Sequence, residues 1–100
     1  MDILLRGKIA VMKYNMVGNV QPGYHCFWYV PVLPKPENLP DIRNVCFTDG
    51  QRIYAEGRFL GAQINQHGKV ILFSALSRVD KPLPRPPAER GWCYINKGAR

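Results

Sequence analysis

The chain has 100 residues, enough for one domain and too few for two independent cores. Fourteen Lys and Arg against seven Asp and Glu leave a net charge of +7, which suits a polyanionic partner, nucleic acid ahead of an anionic membrane. The longest apolar run, Cys26 to Leu33, is broken by Pro31 and falls well short of the roughly 18 residues of a spanning helix, so no membrane partner is expected.

Asp2 to Tyr14 is rich in Ile, Val and Leu without sustained helical spacing, and Gly7 weakens a helix further; the pattern predicts one long strand bent at Gly7. Asn15 to Gly23 holds Asn, Gly and Pro-Gly, all turn formers. Tyr24 to Leu33 is nearly all aromatic and β-branched, a strand in which Pro31 cannot donate to a ladder and so requires an edge or a bulge. Pro34 to Asn44 is a proline-broken connection with room for one short helical turn.

A short strand is predicted over Val45 to Phe47, closed by Thr48-Asp49-Gly50. Gln51 to Ala62 then alternates, with Ile53, Ala55, Gly57 and Phe59 on one side and Arg52, Tyr54, Glu56 and Arg58 on the other. Asn65 to Gly68 reads as a hairpin turn and Lys69 to Val79 as the return strand. From Asp80 onward, four prolines in six residues argue for polyproline-like extension. Residues 1–80 are therefore expected to form the domain, and residues 81–100 an extended, proline-rich basic tail. The tail carries five basic residues and one acid, against nine and six in the body. Short strands without a convincing helix fit an all-β fold, a small five-stranded Greek-key barrel.

The three cysteines, Cys26, Cys46 and Cys93, are odd in number and widely spaced, which suggests neither a disulfide framework nor a zinc motif. Reduced thiols and a cytoplasmic location are expected. Catalysis has little support. Two histidines and scattered acids such as Asp41, Asp49, Glu56 and Asp80 carry no hydrolase, zincin or phosphate-loop pattern, and His25 and Cys26 diverge if they lie on a strand. No enzyme, cofactor or metal is expected.

The densest motif is DGQRIYAEGRFLGAQINQHGKVILFSALSRVD, Asp49 to Asp80, preceded by the aromatic Phe27-Trp28-Tyr29 and a strand with a central glycine. This order resembles the oligonucleotide-binding domains of bacterial single-stranded-DNA-binding protein and primosomal replication protein B, over about two-thirds of the chain. The chain departs from them in lacking a clear strand between Tyr14 and Tyr24 and in ending on basic residues. The resemblance implies a nucleic-acid-binding barrel with an aromatic near Phe27 on the binding face.

Single strands are held by cations that track phosphates and rings that stack on bases. On a strand, Phe27 and Tyr29 share one face while Cys26, Trp28 and Val30 share the other; alternation leaves open which is core, and the resemblance favours Phe27 and Tyr29 outward. Arg52, Tyr54 and Arg58 form a candidate stacking and phosphate face, with Glu56 as a countervailing charge. Lys69 and His67 mark the hairpin, Arg6 and Lys8 the first strand, and Arg85, Arg90 and Trp92 the tail. The expectation is non-sequence-specific binding of single-stranded DNA or RNA, DNA favoured, in replication, repair or plasmid maintenance. A homodimer and a replication or repair protein are the further partners it names. The rival is a β-barrel adaptor that binds protein through the aromatic strand and tail.

Overall fold

The computed structural model describes residues 1–8, 12–66, 68–88 and 91–97. Seven strands lie in one sheet: β1 (Asp2–Arg6), β2 (Cys26–Tyr29), β3 (Asn44–Thr48), β4 (Arg52–Asn65), β5 (Gly68–Phe73), β6 (Ser77–Pro82) and β7 (Trp92–Ile95). The order across the sheet is β2-β5-β4-β3-β1-β7, with β6 also on β4; β1 and β3 run parallel and the other pairs antiparallel. The fold is all-β, as expected, but the sheet is open and has seven strands rather than five closed into a barrel.

The backbone of the fold is the hairpin read from alternation. Asn65 pairs with Gly68 at the turn, and the register runs on through Phe59 with Phe73 and Glu56 with Ser77 to Arg52 with Pro82. Ser74 to Leu76 interrupts the return strand and divides β5 from β6. There the chain passes so close to β4 that a Cβ at Gly57 would lie 2.6 Å from the Ser74 carbonyl oxygen, which accounts for a glycine inside a strand. Leu76 turns fully inward, and its backbone pairs with Asn15 and Val17 at 2.7 Å each, tying the 15–17 segment across the core.

At the other end of β4, Thr48 closes the turn from β3. Its buried hydroxyl donates to the Arg52 carbonyl at 2.7 Å and accepts from Gly50 N–H at 3.0 Å. The Asp49 carboxylate accepts from the Gln51 and Arg52 amides, which holds its pKa below the ordinary value.

The sheet curls strongly. β2 and β3 are three strand spacings apart, about 14 Å in a flat sheet. Yet the rings of Trp28 and Phe47 sit 5.5 Å apart, edge to face, with Phe73 5.4 Å beyond Phe47. The enclosed core holds Ile3, Leu5, Val45, Phe47, Ile71, Phe73 and Leu76. A smaller cluster of Leu4, Cys46, Ile53 and Ile95 covers the opposite face, with Val79 and Leu83 against it.

Three expectations are corrected. The first strand stops at Arg6: Gly7 N–H still bonds to the Thr48 carbonyl, but Lys13–Asn15 is a 3-10 turn, so Lys8 lies off the strand. The connection after β2 carries a 3-10 helix of six residues, Pro36–Asp41, longer than one turn. The tail is not an appendage. β6 reaches Pro82, and Trp92 to Ile95 docks antiparallel on β1, Leu5 opposite Trp92 and Asp2 opposite Ile95. The prolines do keep 83–88 out of regular structure, but four residues of high β propensity beyond them find the unpaired edge of β1.

Candidate nucleic-acid interface

The site begins on β2, an edge strand whose one ladder partner among the described residues is β5. Pro31 ends it, as its missing N–H requires. Cys26 and Val30 are buried and Trp28 turns toward Phe47, so Phe27 and Tyr29 face outward, 50% and 53% exposed. Their rings meet edge to face at 5.4 Å. Phe27 lies opposite Leu72, and Tyr29 opposite Val70. Val70 has no exposed surface and belongs to neither core cluster; paired residues share a face, so the ring pair forms its roof.

Two open grooves flank Phe27. One, of about 340 Å³, is lined by Asn15, Phe27, Trp28 and Tyr29. The other, of about 580 Å³, separates β2 from the 15–24 segment and includes Asn15, Gln21, Tyr24 and His25 in its lining. Tyr24 and Tyr14 are 71% and 70% exposed, and the Lys13 ammonium lies 5.1 Å from the Tyr14 ring centre. Lys69 reaches the same edge. Its carbonyl accepts from Val30 N–H at 3.0 Å, and its ammonium lies 3.4 Å from the Pro31 carbonyl oxygen. Rings, amides and Lys69 thus converge here, whereas Lys13 lines a different groove with Tyr54 and Arg78; sequence reasoning found Phe27, Tyr29 and Lys69 but missed Asn15 and Tyr24, which it read as turn or strand chemistry only.

The expected face of Arg52, Tyr54 and Arg58 does not hold together. Arg52 forms an exposed ion pair with Asp80, and Glu56 accepts from the Lys81 ammonium at 2.9 and 3.1 Å, so the acid opposes neither arginine as expected. That hydrogen bond also raises the Lys81 pKa. Tyr54 is half-buried against the main core, its hydroxyl donating to the Gly7 carbonyl at 2.9 Å, and burial pushes its pKa up to about 12. The cause is a register shift between Ile53 and Ala55, which moves Ile53 to the smaller cluster and breaks the alternation.

The remaining candidates scatter. Arg58 lies beside Arg43 in a separate groove of about 550 Å³ that shares no lining residue with the two at Phe27. The Arg6 guanidinium sits over Gly50, 3.0 Å from where a Cβ would be, and its charge helps hold Asp49 ionised. Lys8 and Arg85 are exposed. Trp92 is not free to stack: it packs edge to face on Tyr94 at 4.8 Å, and its indole N–H donates to the Val32 carbonyl at 2.8 Å. Arg90 and His67 lie outside the described residues.

Among the described residues no three His, Cys, Asp or Glu side chains cluster as metal ligands, and no helix is long and apolar enough to cross a membrane. All three cysteines are free thiols, with burial raising the pKa of Cys26 and pushing that of Cys46 up to about 12. In comparisons with known proteins, no family model, no curated protein and no solved structure matches the chain.

Proposed function

We propose that this protein binds single-stranded nucleic acid, DNA in preference, with little sequence selectivity and without catalysis. Phe27 and Tyr29 are the stacking platform. The observation that carries this reading is the pair of half-exposed rings, 5.4 Å apart, on an open sheet edge between grooves lined by amide side chains. Flat rings accept any base because every base has a π face, and Lys69 supplies a cation at the end of the same edge. The net charge of +7 and the resemblance of Asp49 to Asp80 to oligonucleotide-binding domains support it further. Work in replication, repair or plasmid maintenance, in the cytoplasm, is part of the proposal. The test is titration of tryptophan fluorescence with oligothymidylate at two salt concentrations. Trp28 lines the groove under the rings and should quench, and affinity should fall steeply with salt as counterions are released. A flat salt response would count decisively against it.

A second reading is favoured by one observation. The outer edge of β2 carries no partner strand among the described residues, and Val32 beside it is 56% exposed. An adaptor could receive a partner's strand there by backbone pairing. Oligomeric state and pull-down of a defined partner, measured with Phe27 and Tyr29 replaced, separate the readings: loss of oligothymidylate affinity with an unchanged oligomer supports the first.

A further inference from the structure

We infer that the groove between Arg43 and Arg58 is a phosphate-binding site, through which the backbone of a single strand is held after its bases cross the rings of Phe27 and Tyr29. The inference rests on the nucleic-acid reading above and adds to it where the strand runs.

Arg58 alternates on β4 with Phe59, which packs against the main core, so Arg58 faces outward with the ring pair. The surface between them crosses a register shift between Phe59 and Gly61, which lets Gly61 and Arg58, three positions apart, share the outward face. Phe27 lies opposite Leu72, Leu72 opposite Gly61, and Arg58 is three positions back along the same strand. Followed along the sheet surface, two strand spacings and up to three residues separate Arg58 from Phe27, a path of roughly 12–14 Å at the backbone, a span of a few nucleotides. The intervening surface is unobstructed at Gly61, where a Cβ would meet nothing within 4 Å. Beyond Arg58, Asn44 is its partner on β3, and the Arg43 carbonyl accepts from Phe59 N–H at 2.8 Å, which sets Arg43 at the end of the same ladder.

Ion pairing distinguishes these two from Arg52, matched with Asp80, and Lys81, matched with Glu56. Arg78 on β6 is also exposed without an ion pair among the described residues, but it lines a different groove, with Lys13 and Tyr54, and no second arginine stands beside it there. Arg43 and Arg58 share one groove whose lining contains no acid, and neither forms an ion pair among the described residues. The nearest carboxylate in register, Asp2, has both oxygens engaged, by Asn44 N–H at 3.2 Å and by the Asn96 amide at 2.8 Å. Two unmatched guanidinium groups on one open groove repel each other unless an anion lies between them. A phosphodiester fits, because guanidinium pairs with phosphate oxygens in a planar, bidentate way.

The experiment is a fluorescence-anisotropy titration of labelled oligothymidylate over a salt series. It compares wild type, Arg43→Gln/Arg58→Gln, Arg43→Lys/Arg58→Lys, and a control of equal charge, Lys35→Gln/Lys97→Gln. If each arginine neutralises one phosphate, the glutamine pair makes the slope of log K against log salt shallower by roughly 2. The lysine pair keeps the slope and weakens binding, since charge survives but bidentate geometry does not. The control keeps the slope. Because Arg43 and Arg58 are exposed, thermal midpoints should not move. A wild type that fails to bind at low salt refutes the function proposed above. A wild type that binds, with the slope unchanged in the glutamine pair or shifted as much in the control, refutes this site alone.

Discussion

Truncating the ring pair separates binding from folding. A base stacked on an aromatic side chain contributes about 1–3 kcal/mol by alanine substitution. Phe27→Ala and Tyr29→Ala should therefore each weaken oligothymidylate binding by roughly 5- to 150-fold. The salt slope should stay as in wild type, because neither ring carries charge and no counterion release is lost. Stability falls too, but by a bounded amount. Each ring is about half exposed, so roughly 100 Å² of apolar area is at stake, at most about 2.5 kcal/mol. A domain with a typical stability of about 5–15 kcal/mol remains folded with one ring removed, which a urea midpoint confirms. The rings touch edge to face, so the stability losses should be non-additive by about 0.5–1.5 kcal/mol in a double-mutant cycle. Tyr29→Phe keeps the stacking face and should bind within a factor of about two of wild type. Single alanine variants that stay folded and bind as tightly as wild type would remove β2 from the interface.

Gly57→Ala should destabilise the fold by about 2 kcal/mol or more, read from urea unfolding, because the new methyl group meets the Ser74 carbonyl oxygen at 2.6 Å. Breaking the exposed Arg52–Asp80 pair with Asp80→Asn should change stability by less than about 1 kcal/mol in the same assay. Burial raises the folded pKa of Tyr54 from 10.0 to about 12, so its contribution is complete below pH 10 and is lost as pH rises toward 12. Thermal midpoints should therefore fall less steeply across that window in Tyr54→Phe than in wild type, with Cys46, raised from 9.0 to about 12, sustaining part of the decline in both. Iodoacetamide at neutral pH should modify half-buried Cys93 before Cys26 and Cys46, whose burial holds them as thiols; mass mapping of the labelled peptides checks the order.

The local code of this chain determined its turns, its one long hairpin and the division of β2 into two faces. The strand character of Gln51 to Ala62, the reversal that pairs Asn65 with Gly68 and the Thr-Asp-Gly closure are short-range features, legible because neighbours in sequence decide them. Pro31 marks the end of an edge strand for the same reason. Only the tertiary structure decided which face of β2 meets water, since that depends on how far the sheet curls to bring Trp28 onto Phe47. It also decided that Trp92 to Ile95 completes the sheet instead of trailing from it, that a register shift turns Ile53 away from Ala55, and that Arg58 stands beside Arg43. Each of these follows from pairings between residues distant in sequence, and periodicity within one segment carries no information about which edge another segment will find free.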